Sequence, residues 1–116
     1  MPKRAVNWTR PPGRSHDTCH LEPAREDLLE IYVDIGLDSV TAAERIYTVL
    51  IDRAQQLRQT PRMGVRRPEI APSARVLVEG SHLILYQTRP DADEDLVEAV
   101  EIVRIIHGHR DLSRIF

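Results

Sequence analysis

The spacing of apolar residues changes once along the chain, and this change limits the possible folds more than any other feature. Up to Leu57 the apolar residues recur at helical spacing, whereas from Arg75 onward they form short extended runs. A segment punctuated by prolines, residues 61–72, separates the two halves. Helices followed by strands in this order are typical of an α+β protein.

The first half predicts two amphipathic helices. Pro23 suits the first position of a helix that Gly36 ends. Asp38 or Ser39 then caps a second helix, which Pro61 prevents from continuing. The predicted apolar face of this second helix is formed by Val40, Ala43, Ile46, Tyr47, Leu50, Ala54 and Leu57. Because the link between the helices is short, we expect them to form an antiparallel pair.

The second half predicts a small sheet. Residues 75–79 and 82–87 flank Gly80-Ser81, a connection of the kind found in tight hairpins. After an acidic connection, residues 90–98, the β-branched run 100–106 is apolar enough to lie in the interior of a sheet. Residues 18–21 can supply a short first strand.

These elements predict an α+β fold in which an antiparallel helical hairpin packs on a small, mostly antiparallel sheet. A chain of 116 residues suits one domain, which we assign to residues 17–116. Residues 1–16, rich in proline and without a periodic apolar pattern, are expected to form a loosely packed leader. The last ten residues leave room for a short terminal helix.

Composition excludes several classes of protein. Aromatic residues make up only 4% of the chain, which disfavours nucleic-acid binding by base stacking. The single cysteine cannot form an internal disulfide, and no segment has the length and apolarity of a signal peptide or membrane span. We therefore expect a cytoplasmic protein without a membrane association. No closed metal-binding pattern is present, so neither a metal nor another cofactor is predicted.

The charges are unevenly distributed and indicate binding surfaces. Six arginines and only two glutamates lie in residues 53–86, whereas residues 91–101 contain six acidic residues and no basic one. The partner-binding candidates are Arg62, Arg66, Arg67, Arg75, His107, Arg110 and Asp111. Guanidinium groups bind carboxylates and phosphates equally well, so the cluster fits an acidic peptide or a nucleic acid.

Three sequence segments, taken together, resemble the ParE branch of the ParE/RelE superfamily of bacterial type II toxins. They are Pro61-Arg62-x-Gly64, Arg67-Pro68-Glu69-Ile70 and the run from Val103 to Leu112 that contains His107-Gly108-x-Arg110-Asp111. The resemblance implies a toxin that poisons DNA gyrase without catalysing a reaction itself. It also implies a cognate antitoxin of the ParD kind, a DNA-binding dimer with an acidic amphipathic C-terminal segment, in a heterotetramer or larger assembly.

The same superfamily contains the RelE-type messenger RNA endonucleases, which provide the alternative function. In that case His107 or His109 would remove a proton from a ribose hydroxyl, while Arg110 and Arg75 would stabilise phosphate charge. Two groups expected of the nucleases are missing, because Leu83 and Phe116 fall where that branch carries an arginine and a tyrosine. A third possibility is an inactive relative that retains only antitoxin binding.

Overall fold

The computed structural model describes residues 18–91 and 97–108, and it confirms the predicted α+β class. Strand β1 spans Thr18–His20 and is followed by a short 3-10 helix, Glu22–Ala24. The two α-helices are α1, Arg25–Gly36, and α2, Val40–Gln56. The remaining strands are β2, Val65–Arg66, β3, Arg75–Glu79, β4, His82–Arg89, and β5, Ala99–His107.

Local sequence signals determine where the helices begin and end. Pro23 lies within the 3-10 turn that leads into α1, where its missing N–H is harmless. Ser39 is the N-cap of α2, and its side chain accepts a hydrogen bond from the Ala42 N–H at 3.1 Å. The predicted apolar face of α2 was wrong at two positions, Val40 and Tyr47, which are exposed. Both lie at the margin of the buried stripe, and Tyr47 packs its ring edge-on against Tyr32 instead.

The five strands form one sheet in the order β1-β5-β4-β3-β2. Strand β5 lies in the interior, as its apolar run predicted, and pairs in parallel with β1 and antiparallel with β4. Within the segment predicted to be a loop, Val65 and Arg66 form β2, an edge strand that pairs with β3. The register of β4 with β5 shifts between Leu85 and Tyr86, which marks a β-bulge.

The main core lies between the helical hairpin and one face of the sheet. Leu28, Leu50 and Leu57 of the helical half pack there with Ile84 and Ile102 of the strands. A second, smaller apolar cluster on the other face is formed by Val76, Leu83 and Leu85, with Ile70 and Ile106 packed against it. Because both faces of β4 are covered, seven of its eight residues are buried.

Several predictions concern residues outside the described ranges. These are the leader at residues 1–16, the short C-terminal helix, and the functional roles of His109, Arg110 and Asp111.

Candidate partner-binding surfaces

The segment 61–72, called the arginine loop here, is fastened to the sheet by a buried tyrosine. The Tyr86 hydroxyl donates to the Pro61 carbonyl oxygen at 2.8 Å and accepts from the Gly64 N–H, also at 2.8 Å. Burial raises the pKa of Tyr86, because the phenolate would lose its hydration, so the hydroxyl keeps the proton that it donates. One side chain thus holds two backbone groups of the loop.

Gly64 is the position that permits this attachment. A Cβ placed there would lie 2.6 Å from both Cε1 and Oη of Tyr86 and 2.9 Å from the Val76 carbonyl oxygen. Such approaches are closer than van der Waals contact allows, so a side chain at this position would push the loop away from the sheet. The glycine of the Pro61-Arg62-x-Gly64 motif therefore sets the distance between the arginine loop and the strands.

Arg75 supports the loop from beneath and does not present its charge on the surface. It is only 4% exposed, and Nη1 donates to the Gly64 carbonyl oxygen at 3.3 Å. The sequence placed Arg75 with the surface arginines because charge alone does not reveal burial. In the structure its guanidinium group helps to position the loop that carries the other three arginines.

The other arginines of the cluster are partly exposed, and Arg66 and Arg67 form ion pairs within the chain. Arg66 contacts Asp91 through Nη2 at 3.0 Å and also donates to the Pro72 carbonyl oxygen at 3.4 Å. Arg67 donates from Nε to Glu69, and this hydrogen bond is the main reason why the pKa of Glu69 is lowered. Arg62 is half-buried. Exposed ion pairs of this kind contribute little to stability.

A second candidate surface is a cleft between the helical hairpin and the tip of the β3–β4 hairpin, called the histidine cleft here. His82 and His107 are register partners on β4 and β5, and their ring centroids are 4.9 Å apart. Both rings line two adjoining cavities of about 440 and 290 Å³. The helical wall of these cavities includes Ile35, Ala42 and Ile46.

The two imidazoles of the histidine cleft differ in environment. His107 is exposed, whereas His82 is 4% exposed and its Nε2 has no hydrogen-bond partner among the described residues. Burial is the larger cause of the lowered pKa of His82, and the neighbouring His107 adds to it. At any given pH near neutrality, His82 is therefore protonated less often than an ordinary histidine. His82 could not be identified as a candidate from the sequence, because its pairing with His107 depends on strand register.

The proposed nuclease residues are not all brought together. Arg75 pairs with Tyr86, whereas His107 pairs with His82, which lies four residues before Tyr86 on β4. Four residues of strand correspond to about 13 Å, and Arg75 and His107 also lie on different neighbours of β4. Arg75 therefore cannot act on the same phosphate as His107 in this arrangement. His109 and Arg110 lie outside the described residues.

Two buried polar contacts, which the sequence analysis missed, hold the framework of these surfaces. Asp27 of α1 accepts from Arg104 Nε at 2.8 Å and from the Ile105 N–H at 3.0 Å, and thereby joins the helix to β5. On β4, Gln87 donates from Nε2 to Glu101 at 2.8 Å. No sequence signal for these pairs was available, since Asp27 and Arg104 are 77 positions apart.

The described residues contain neither a cluster of metal ligands nor a helix that could span a membrane. Within residues 18–91 and 97–108, no group of three or more histidine, cysteine, aspartate or glutamate side chains is arranged to hold a metal ion. In the same part of the chain, no helix combines the length and apolarity that crossing a membrane requires.

The fold and the surfaces define a small α+β protein with a basic loop fastened to its sheet. Residues 21–112 match the family model described as the ParE toxin of the type II toxin-antitoxin system parDE. The chain therefore belongs to the ParE toxin family, as the three motifs suggested, and membership implies an antitoxin as partner. A search of curated proteins gave no match.

Proposed function

We propose that this protein is a toxin that acts in the cytoplasm by poisoning DNA gyrase and is neutralised by a cognate antitoxin. The observation that carries the proposal is the match to the ParE toxin family over residues 21–112. The distance of Arg75 from His107 supports it, because the residues considered for RNA cleavage do not form one cluster. On this account the toxin binds gyrase and catalyses no reaction itself.

The arginine loop is the surface that we assign to the antitoxin. We propose that a ParD-like antitoxin inserts carboxylates of its acidic C-terminal segment between Arg62, Arg66 and Arg67. These would exchange with Asp91 and Glu69, the intramolecular partners of two of the arginines. A dimeric antitoxin would then bring together two toxins, giving a heterotetramer or a larger assembly.

The exposed end of β5 is the surface that we assign to the target. His107 lies there, with Arg110 and Asp111 following in the sequence. This surface is separate from the arginine loop, since His107 pairs with the tip of the hairpin and Arg75 with its base. The antitoxin would accordingly bind the arginine loop, and the target would bind the separate surface at the end of β5.

Messenger RNA cleavage of the RelE kind is the second candidate, and the histidine pair is the observation that favours it. Imidazole is the side chain that most often serves as a general base, and the rings of His82 and His107 lie 4.9 Å apart. However, His82 Nε2 is buried, so on this account the exposed His107 would contact the RNA and His82 would position it.

One experiment separates the two functions. Purified protein is added to a gyrase supercoiling reaction with plasmid and, in parallel, to a translating ribosome mixture with labelled messenger RNA. Loss of supercoiling with intact messenger is the expected result. Messenger cleavage with normal supercoiling would mean that the target is RNA and not gyrase. His107 would then be the candidate for the residue that takes part in the cleavage.

A further inference from the structure

The outer surface of α1 carries an apolar stripe that does not belong to the core. Leu29, Val33 and Leu37 follow one another at four-residue spacing, which places them on one side of the helix. They are 61%, 52% and 81% exposed, respectively, and Val40, the first residue of α2, is 60% exposed. The core side of the same helix is formed by other residues, including Leu28 and Ile31. We call these four exposed residues the outer stripe.

An acidic row runs beside the outer stripe. Glu26, Glu30 and Asp34 also follow four-residue spacing, rotated by about 60° from Leu29, Val33 and Leu37 at 100° per residue. Asp38 continues the row, and all four carboxylates are exposed. The only basic residue of α1 is Arg25.

Three carboxylates of the acidic row, at Glu30, Asp34 and Asp38, carry charge that the described residues do not neutralise. Glu30, Asp34 and Asp38 form no ion pair within residues 18–91 and 97–108. Exposed apolar side chains that share one face of a helix are a candidate surface for another molecule. The charge beside the patch then determines which molecule fits.

We propose that the outer stripe binds a basic amphipathic helix of a partner protein. Apolar residues of that helix at three- and four-residue spacing would cover Leu29, Val33 and Leu37, while its lysines or arginines would face Glu30 and Asp34. The proposal goes beyond the toxin function and holds whether the target is gyrase or RNA.

Charge argues against the other possible occupants. The acidic antitoxin segment assigned to the arginine loop would be repelled by Glu30 and Asp34, so the outer stripe stays open when that segment is bound. A second copy of the chain that paired with the outer stripe in an antiparallel arrangement would place acidic row against acidic row. The negatively charged surface of a membrane would likewise be repelled.

The test uses the full chain and a labelled 20-residue peptide as the probe. The peptide carries leucines at helical spacing on one face and lysines and arginines beside them, and a scrambled peptide of the same composition provides the comparison. Binding is followed by fluorescence anisotropy. We expect the amphipathic peptide to bind and the scrambled peptide to bind at least tenfold more weakly, because apolar burial requires the leucines on one face.

Two matched substitutions locate the binding surface. Val33→Gln should weaken peptide binding by about tenfold. Val78→Gln, on β3, changes a valine of nearly equal exposure, 51% against 52%, and should leave binding unchanged. The double variant Glu30→Gln/Asp34→Asn should reduce the dependence of binding on salt concentration.

Three results would overturn the proposal. Equal binding of the scrambled peptide would mean that charge alone attracts the probe. Equal effects of Val33→Gln and Val78→Gln would place the peptide elsewhere. A dimeric mass in light scattering that Val33→Gln returns to the monomer would make a second copy the occupant.

Discussion

Gly64 lies against the ring of Tyr86 so closely that a Cβ on the glycine would be 2.6 Å from the tyrosine Oη. The same hydroxyl accepts from the Gly64 N–H and donates to the Pro61 carbonyl oxygen. This contact fixes the arginine loop to β4 and thereby fixes the surface that we assign to the antitoxin.

Gly64→Ala should lower the free energy of unfolding by about 1 to 3 kcal/mol, the usual cost of overpacking a buried position. Urea denaturation measures it. Gly36→Ala is the matched control, because a Cβ at Gly36 would meet only the Ala43 Cβ at an ordinary 3.8 Å. We expect that control to be neutral or slightly stabilising, since Gly36 is the last residue of α1. Equal effects of the two variants would refute the close contact at Gly64.

Asp27→Ala should destabilise the protein by about 2 to 4 kcal/mol, because it leaves the largely buried Arg104 and the Ile105 N–H without their acceptor. Thermal and urea unfolding provide the measurement. Asp52→Ala, an exposed aspartate on α2, should change stability by less than about 0.5 kcal/mol. If Asp27→Ala costs no more than Asp52→Ala, the link between α1 and β5 is not the support that we describe.

The histidine cleft predicts a dependence of stability on pH. The folded-state pKa of His82 lies below its ordinary value of 6.5, because of burial first and of His107 second. Above pH 6.5 both states are neutral at His82, so its full contribution to stability is present. As the pH falls through 6.5, His82 binds a proton more readily in the unfolded chain than in the folded protein. The free energy of unfolding therefore declines. The decline levels off below the folded-state pKa.

Unfolding in urea between pH 5 and pH 8 measures this effect. His82→Gln should flatten the decline, whereas Ser81→Ala, which changes a cleft residue that does not titrate, should keep it. The charged groups that also line the cavities, Asp34, Asp38, Arg45 and Glu79, are present in both variants. An unchanged slope in His82→Gln would assign the pH dependence to another group.

The arginine loop predicts how the antitoxin binds. The double variant Arg66→Ala/Arg67→Ala should weaken antitoxin binding by at least about tenfold, because each charge-assisted hydrogen bond that is lost contributes more than 1 kcal/mol. Calorimetry with the full chain and its antitoxin at two salt concentrations measures it. Arg58→Ala, an exposed arginine just after α2, is the matched control and should leave the affinity unchanged. Equal affinities of all three proteins would place the antitoxin elsewhere.

The sequence predicted those parts of the fold that depend on neighbouring residues. The start of α2 was predicted from Asp38 or Ser39 as its cap, and Ser39 is the N-cap. The β3–β4 hairpin followed from Gly80-Ser81 between two extended runs. Strand β2 was missed because its two residues are too few to show an alternating pattern. Strand β2 begins directly after Gly64, whose N–H is held by the Tyr86 hydroxyl, and it pairs with β3. This long-range contact exists only in the folded chain.

The candidate surfaces were less predictable because they depend on burial and on distant pairings. Arg75 looked like a surface charge, yet the arginine loop covers it. His82 became a candidate only through its register with His107, and Asp27 only through its contact with Arg104. Arg66 and Arg67 do lie at the surface, although their ion pairs with Asp91 and Glu69 could not be read from local sequence charge.

The most direct test of the proposed function is a titration of the purified chain against a fixed amount of gyrase and supercoiled plasmid, stopped with detergent and protease. A non-catalytic gyrase poison predicts linear plasmid that increases with the amount of chain and reaches a plateau once gyrase is saturated. It also predicts that prior addition of antitoxin suppresses the linear product. Unchanged plasmid at saturating amounts of an otherwise toxic chain would contradict the account and would remove gyrase as the target.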